Sequence, residues 1–217
     1  MLLAVPDSAI AAVAGALLGA VGERHVVLHL SGRLGATALA PLASSGAGLG
    51  SLHPLLSFAD PAAAPARLRA AVAAIEGDER GRAVARTLAV CIGLTPFEVA
   101  AAEKARYHAG AVFGANFLVT IAAVARRVFT QAGVPPEVAA KGLATLMAGV
   151  LENVTRDGPA GALTGPLKRG DAGTVRANIR ALDPPEAELY RVLSRATLDI
   201  AGLDAERRAA IERALDE

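Results

Sequence analysis

The chain has 217 residues and a formal net charge of +1 at pH 7, with 22 Lys and Arg against 21 Asp and Glu. That length holds one large domain or two small ones, and so small a charge gives no electrostatic reason to expect a nucleic-acid or acidic-membrane partner. Hydrophobic residues make up 53% but aromatics only 3%, so alanine, then leucine and valine, must build the core, which favours close helix-on-helix packing.

The first half alternates short β-like runs with alanine-rich helical ones. Residues 2–5 form an apolar strand ended by Pro6 and Asp7, and Asp7 is placed to cap a helix running to about residue 20. Residues 26–30 are the next strand, closed by Ser31-Gly32; a short helix over 35–43 precedes a third strand over 46–52, ended by His53-Pro54. Residues 71–76, 78–92 and 94–99 then read as strand, helix and strand. Strands separated by helices predict a largely parallel sheet covered on both faces.

After about residue 100 no strand is expected. Residues 101–132 read as one long helix stopped by Gly133, with further helices over 136–155, 172–181, 185–201 and 205–215 and Asp171, Asp183 and Asp204 at capping positions. The fold class is therefore α/β followed by all-α, divided at residues 1–99 and 100–217. There is no internal repeat, and no low-complexity linker beyond the alanine and proline patch at residues 60–67.

Residues 107–125 contain no Asp, Glu, Lys or Arg, and the mean hydropathy of the chain is +0.41. His108, Asn116 and two glycines lie within that stretch and Lys104, Arg106, Arg126 and Arg127 bracket it, which favours a buried central helix over a membrane span. The N-terminus lacks a basic n-region, so no signal peptide is expected. The single cysteine, Cys91, cannot form an internal disulfide; it falls mid-helix with no basic neighbour beyond Arg86 and is expected in the core. No Cys and His grouping has zinc-site spacing, so no metal is expected, and the natural compartment is the cytoplasm.

Ligands of open parallel sheets bind at the carboxyl ends of the strands. Here those ends are Val5-Pro6-Asp7, Leu30-Ser31-Gly32 and His53-Pro54. If the strands are parallel, Ser31 and His53 open onto one edge, where a hydroxyl and an imidazole can bind a single substrate oxygen; alternatively Ser31 caps a helix and His53 fixes a turn. His29, inside its strand, reads as a satisfied core histidine. On the long helix Lys104 and His108 are i,i+4 neighbours, with Asn116 three turns on in nearly the same direction. A lysine on an apolar surface can become a proton donor or acceptor near neutrality, although the spacing by itself favours a Glu103-Lys104 pair at a solvated helix start. Arg169, in the turn-rich run 162–171, could reach an anionic ligand. Gly46, Gly48 and Gly50 give G-x-G-x-G before a strand rather than a helix, which does not match the dinucleotide fingerprint, and neither a P-loop nor a nucleophile elbow is present.

The order of these motifs is more specific than any one of them. Leu3-Ala4-Val5-Pro6-Asp7, His29-Leu30-Ser31-Gly32, Gly50-Ser51-Leu52-His53-Pro54, Glu103-Lys104 with Tyr107-His108, Asn116, and Leu163-Thr164-Gly165-Pro166 with Arg169-Gly170-Asp171 resemble Rossmann-like and DUF2520 domain-containing proteins over about residues 2–200. These belong to the wider 6-phosphogluconate dehydrogenase-like group, with an NAD(P)-binding domain followed by a helical domain. The resemblance implies a partial Rossmann-like sheet, a helical dimerisation and substrate domain, and an NADP- or NAD-dependent oxidoreductase acting on a small molecule as a homodimer. Prephenate dehydrogenases, more distantly similar, carry a serine and a His-Pro in places matching Ser31 and His53-Pro54. Lys104 matches the catalytic lysine of β-hydroxyacid dehydrogenases, with His108 where their asparagine stands and Asn116 later.

By resemblance, then, Ser31, His53, Lys104 and His108 are catalytic, Val5, Pro6, Asp7, Leu30 and Ser31 line the cofactor, and Asn116 and Arg169 bind substrate. The chain starts at what resembles the family's fourth strand, without its G-x-G-x-x-G turn, and so reads as an N-terminally short member. The alternative is a non-catalytic helical dimerisation or ligand-binding protein that has lost its cofactor.

Overall fold

The computed structural model describes residues 1–58, 62, 64–69 and 71–217, and these form two compact units, Met1–Leu118 and Val119–Glu217. In the first, five strands build one sheet in chain order: β1 (Leu2–Leu3), β2 (Val26–His29), β3 (Gly48–Pro54), β4 (Val72–Gly77) and β5 (Thr95–Glu98). β1, β2 and β3 are mutually parallel and β4 is parallel to β5, but β3 meets β4 antiparallel. The sheet is thus mostly parallel, with one reversal. An antiparallel pair needs no crossover helix, and the connection holds, as far as it is described, only the short α2 (Ala64–Leu68). The alanine and proline patch expected at residues 60–67 lies partly outside the described residues.

Strand alternation sorts the side chains between two faces. Leu28, Leu52, Ala73 and Ile75 pack against Ala85 and Ala89 of α3 (Glu79–Cys91). Val27 and Leu3 pack on the other face against Ile10 and Ala14 of α1 (Ile10–Ala16) and Leu39 and Leu42 of the 3-10 helix Ala36–Ser45. By the same parity His29, Ser51, His53 and Glu76 share that second face, and this places polar side chains beside an apolar layer.

Gly77 and Gly81 serve the approach of α3 to the sheet. Asp78 caps α3 through Oδ1, which accepts from Gly81 N–H at 2.7 Å, while Oδ2 accepts from Leu49 N–H at 2.6 Å and ties the cap to β3. A Cβ on Gly77 or Gly81 would stand within 3.0 Å of the Leu49 carbonyl oxygen.

Several local expectations change. Asp7 does not cap: Pro6 holds the N-cap position of a 3-10 turn, Asp7–Ala9, and Asp7 pairs instead with Arg33 at 3.6 Å. Cys91 is exposed rather than core, because it ends α3 where the chain turns away. The single helix expected over 101–132 is divided into a 3-10 turn (Ala101–Glu103), α4 (Lys104–Gly114) and α5 (Asn116–Gln131) by Ala115, whose φ of −120° and ψ of −68° are not helical. The stretch expected to be a buried central helix is exposed in the single chain. Phe113 and Val119 are each 70% exposed. Ala101–Gln131, whose most apolar 18-residue window has a mean hydropathy of 1.6, is the one stretch among the described residues long and apolar enough to cross a membrane.

The second unit is all-α among its described residues. α5 leads into α6 (Pro136–Ala162), α7 (Gly165–Arg169), α8 (Ala172–Ala181), α9 (Pro184–Ala201) and α10 (Ala205–Asp216). Val175, Ile179, Leu198, Ile211 and Leu215 form its core. α6 runs past the expected end at 155 because Gly158, at φ 71°, lets the chain bend and resume before Pro159. Gly165-Pro166 opens α7 as well as closing the preceding segment. Asp171 and Asp204 cap with their side chains, whereas Asp183 holds its N-cap position without a side-chain bond. Arg127 donates to the buried Glu186 at 2.6 Å, tying α5 to the first turn of α9.

Gly81→Ala is expected to force α3 off β3 and to lower unfolding free energy by about 1–3 kcal/mol, the usual cost of overpacking. A urea denaturation midpoint measured against wild type checks this.

Candidate functional site

Because β1, β2 and β3 run parallel, their carboxyl ends meet on one edge of the sheet. A cleft of about 400 Å³ opens there, lined by Val5, Pro6 and Asp7 after β1, Leu30 and Ser31 after β2, and His53 near the end of β3. The strand-end residues singled out from the sequence are therefore neighbours in space.

The loop after β2 is tied down from several sides. The Ser31 hydroxyl oxygen accepts from Leu34 N–H at 2.9 Å and Arg33 N–H at 3.2 Å. Both lone pairs are occupied, and its proton remains to donate. His29, fully buried, donates from Nε2 to the Gly35 carbonyl at 2.9 Å, and its Nδ1 accepts from Ser31 N–H at 3.2 Å. It is the satisfied core histidine expected, and burial lowers its pKa. A Cβ on Gly32 would stand 2.7 Å from His53 Nε2 and 2.9 Å from His108 Cδ2, so only glycine fits between the two imidazoles.

The sheet register brings His29 opposite Ser51 and Ser51 opposite Glu76, and Lys104 enters this row from α4. It is 1% exposed, and Nζ donates to the Ser31 carbonyl at 3.0 Å and to Ser51 Oγ at 3.1 Å. Ser51 donates onward to Glu76 Oε2 at 3.4 Å, and the same oxygen accepts from Ala36 N–H at 2.6 Å. Burial pushes the Lys104 pKa down, while the Glu76 and Asp7 carboxylates oppose the shift. Lys104 is thus not at a solvated helix start; its amine is turned into the protein, behind Ser31.

His53 lies above this row. Its Nδ1 is 2.8 Å from the Tyr107 hydroxyl, and Tyr107 is held edge-on by Phe97 at 5.9 Å between ring centres. Burial, then the Lys104 and His108 charges, lower the His53 pKa to about 4 against the pull of Asp7, so the ring is neutral at pH 7. The His108 ring lies 6.4 Å from that of His53. Asn116 starts α5 beyond the break at Ala115, so a count of turns from Lys104 does not fix its direction. Arg169 ends α7 in the second unit. Ser51 and Glu76 were not singled out; the signal was a polar residue at the off-core parity of an otherwise apolar strand.

The family model described as "Domain of unknown function (DUF2520)" matches residues 71–197. Among solved structures the chain is similar to protein TM1727 from Thermotoga maritima, at 29% identity and a TM-score of 0.76 over 92% of this chain and 77% of that one. It is similar in fold to a Bacteroides fragilis protein, BF3122, described as a "putative NADP oxidoreductase", at 21% identity and a TM-score of 0.73 over 91% and 74% of the two chains. A pyrroline-5-carboxylate reductase from Coxiella burnetii shares the fold more loosely, at 16% identity and a TM-score of 0.53 over 99% and 74%. None of the curated proteins matches the sequence.

The folded chain keeps His53 neutral down to about pH 4, whereas an unfolded imidazole protonates near 6.5. Between those values the unfolded state binds more protons, so stability falls as pH is lowered through that window; His29 acts in the same direction. The urea midpoint should drop across this range, and His53→Gln should flatten the dependence.

Proposed function

The chain belongs to the DUF2520 family, and from that premise we propose that it is an NADP- or NAD-dependent oxidoreductase acting at the hydroxyl or carbonyl carbon of a small substrate. The observation that carries this reading is the strand-end cleft where Ser31, with a spare hydroxyl proton, and a neutral His53 both open.

The residues present fit the nicotinamide end of such a cofactor. Val5, Pro6, Asp7, Leu30 and Ser31 supply a largely apolar wall with backbone groups beside it, the mixture that ordinary ligand pockets of about 300–1,000 Å³ use. The sequence holds no glycine-rich pyrophosphate turn, so the fit is to that end alone. When bound, the nicotinamide supplies or accepts the hydride. Ser31 and His53 then hold the substrate oxygen, His108 flanks it, and Lys104 acts from behind by fixing the Ser31 carbonyl. Asn116 and Arg169 are proposed substrate contacts. In this reading the protein is cytoplasmic, with no nucleic acid or membrane as partner, and residues 100–217 supply its dimerisation and substrate domain. The exposed apolar surface that includes Phe113, Phe117 and Val119 is then covered by a second copy of the chain.

The second reading is a non-catalytic dimerisation or ligand-binding protein, favoured by that exposed apolar surface. Nicotinamide mononucleotide titrated into ¹⁵N-labelled protein separates the two. Shifts at Val5, Leu30 and Ser31 are expected, and none at millimolar ligand would overturn the oxidoreductase reading. Sedimentation without detergent is expected to give a dimer; a monomer would remove the second copy.

A further inference from the structure

Tyr107 has no part in the reading above, yet among the described residues its hydroxyl is the one hydrogen-bond partner of the His53 ring. We propose that Tyr107 is a positioning residue: its hydroxyl donates to His53 Nδ1 and so fixes the imidazole proton on Nε2, the nitrogen on the Gly32 side, making His53 a hydrogen-bond donor to a bound oxygen rather than a base. This rests on the oxidoreductase reading for the identity of that oxygen, but the tautomer itself does not.

The direction of the bond follows from the chemistry of the two groups. A neutral imidazole has one protonated and one bare nitrogen, and the partner of one nitrogen decides the state of the other. A phenol is a far stronger acid than a neutral imidazole N–H, and a bare ring nitrogen is a better acceptor than a phenol oxygen, so the stable pairing is O–H to Nδ1. Burial raises the Tyr107 pKa and keeps the hydroxyl proton available. If Nδ1–H donated instead, the phenol proton would have no protein acceptor among the described residues, where His53 is the hydroxyl's one bonded partner.

The other nitrogen faces the Gly32 backbone. Gly32 is the residue against Nε2 and has no side chain to block it. Phe97 and His53 both meet the Tyr107 ring edge-on, at 5.9 and 5.6 Å between ring centres, which sets its orientation. The charged and titratable groups around the imidazole are Lys104, His108, Asp7 and Tyr107. The pocket then presents two donors, the Ser31 hydroxyl and His53 Nε2–H, to an acceptor oxygen.

The test is a long-range ¹H–¹⁵N correlation of histidine-labelled protein at pH 7, with His53 assigned by the loss of its signals in His53→Gln. The wild type should show His53 neutral, with its proton on Nε2 and its bare Nδ1 shifted by hydrogen bonding. Tyr107→Phe should move the Nδ1 resonance toward that of a free bare nitrogen. A wild type carrying the proton on Nδ1, or a Nδ1 resonance unmoved by Tyr107→Phe, would overturn the proposal. The wild-type tautomer is read without Tyr107→Phe, so it stands even if that variant fails to fold. Because no nucleotide is present, the result stands apart from the mononucleotide titration.

Discussion

A buried amine joins the parts of the first unit that matter for its cleft. Lys104, at the start of α4, reaches the Ser31 carbonyl at the end of β2 and the Ser51 hydroxyl on β3, and Ser51 passes the contact to Glu76 on β4. An ammonium removed from water is costly unless its hydrogen bonds and an opposite charge are supplied. Here the carbonyl, the hydroxyl and the carboxylate behind it supply them. Because the lysine needs all three strands at one register, it selects the sheet geometry as much as it depends on it.

The same contact organises the cleft. With its carbonyl held by Lys104 and its hydroxyl oxygen filled by two backbone N–H groups, Ser31 has a single orientation. The Gly32 backbone is then close enough to the two imidazoles to exclude any side chain. A positive group behind His53 also disfavours a second positive charge on its ring, so burial and Lys104 together hold the imidazole neutral. The lysine that sequence spacing presents as a proton carrier shapes the site through charge and backbone position.

Much of the fold was legible because its signals are local. Apolar runs ended by Pro or Gly, and aspartates at N-caps, report backbone preferences within a few residues, and they located five strands and most helices. Asp171 and Asp204 cap as their spacing indicates, while Asp7 does not, because a following 3-10 turn places Pro6 at the cap. The reversal between β3 and β4 was not legible, since a strand carries no mark of its direction. Cys91 and the apolar surface of α4 and α5 were misjudged for a shared reason: hydrophobicity indicates that a residue gains from burial, not that its own chain provides the cover.

The sequence by itself determined the division into an α/β and an all-α half, the convergence of Ser31 and His53 given parallel strands, and membership of the family. Only the tertiary structure decided what those residues touch. Ser51 and Glu76 are 25 residues apart in sequence and opposite each other in register, and His53 and Tyr107 are separated by 54 residues and joined by one hydrogen bond. Such pairings depend on register and helix docking, which involve the whole sheet at once, whereas patterning and caps involve one segment at a time.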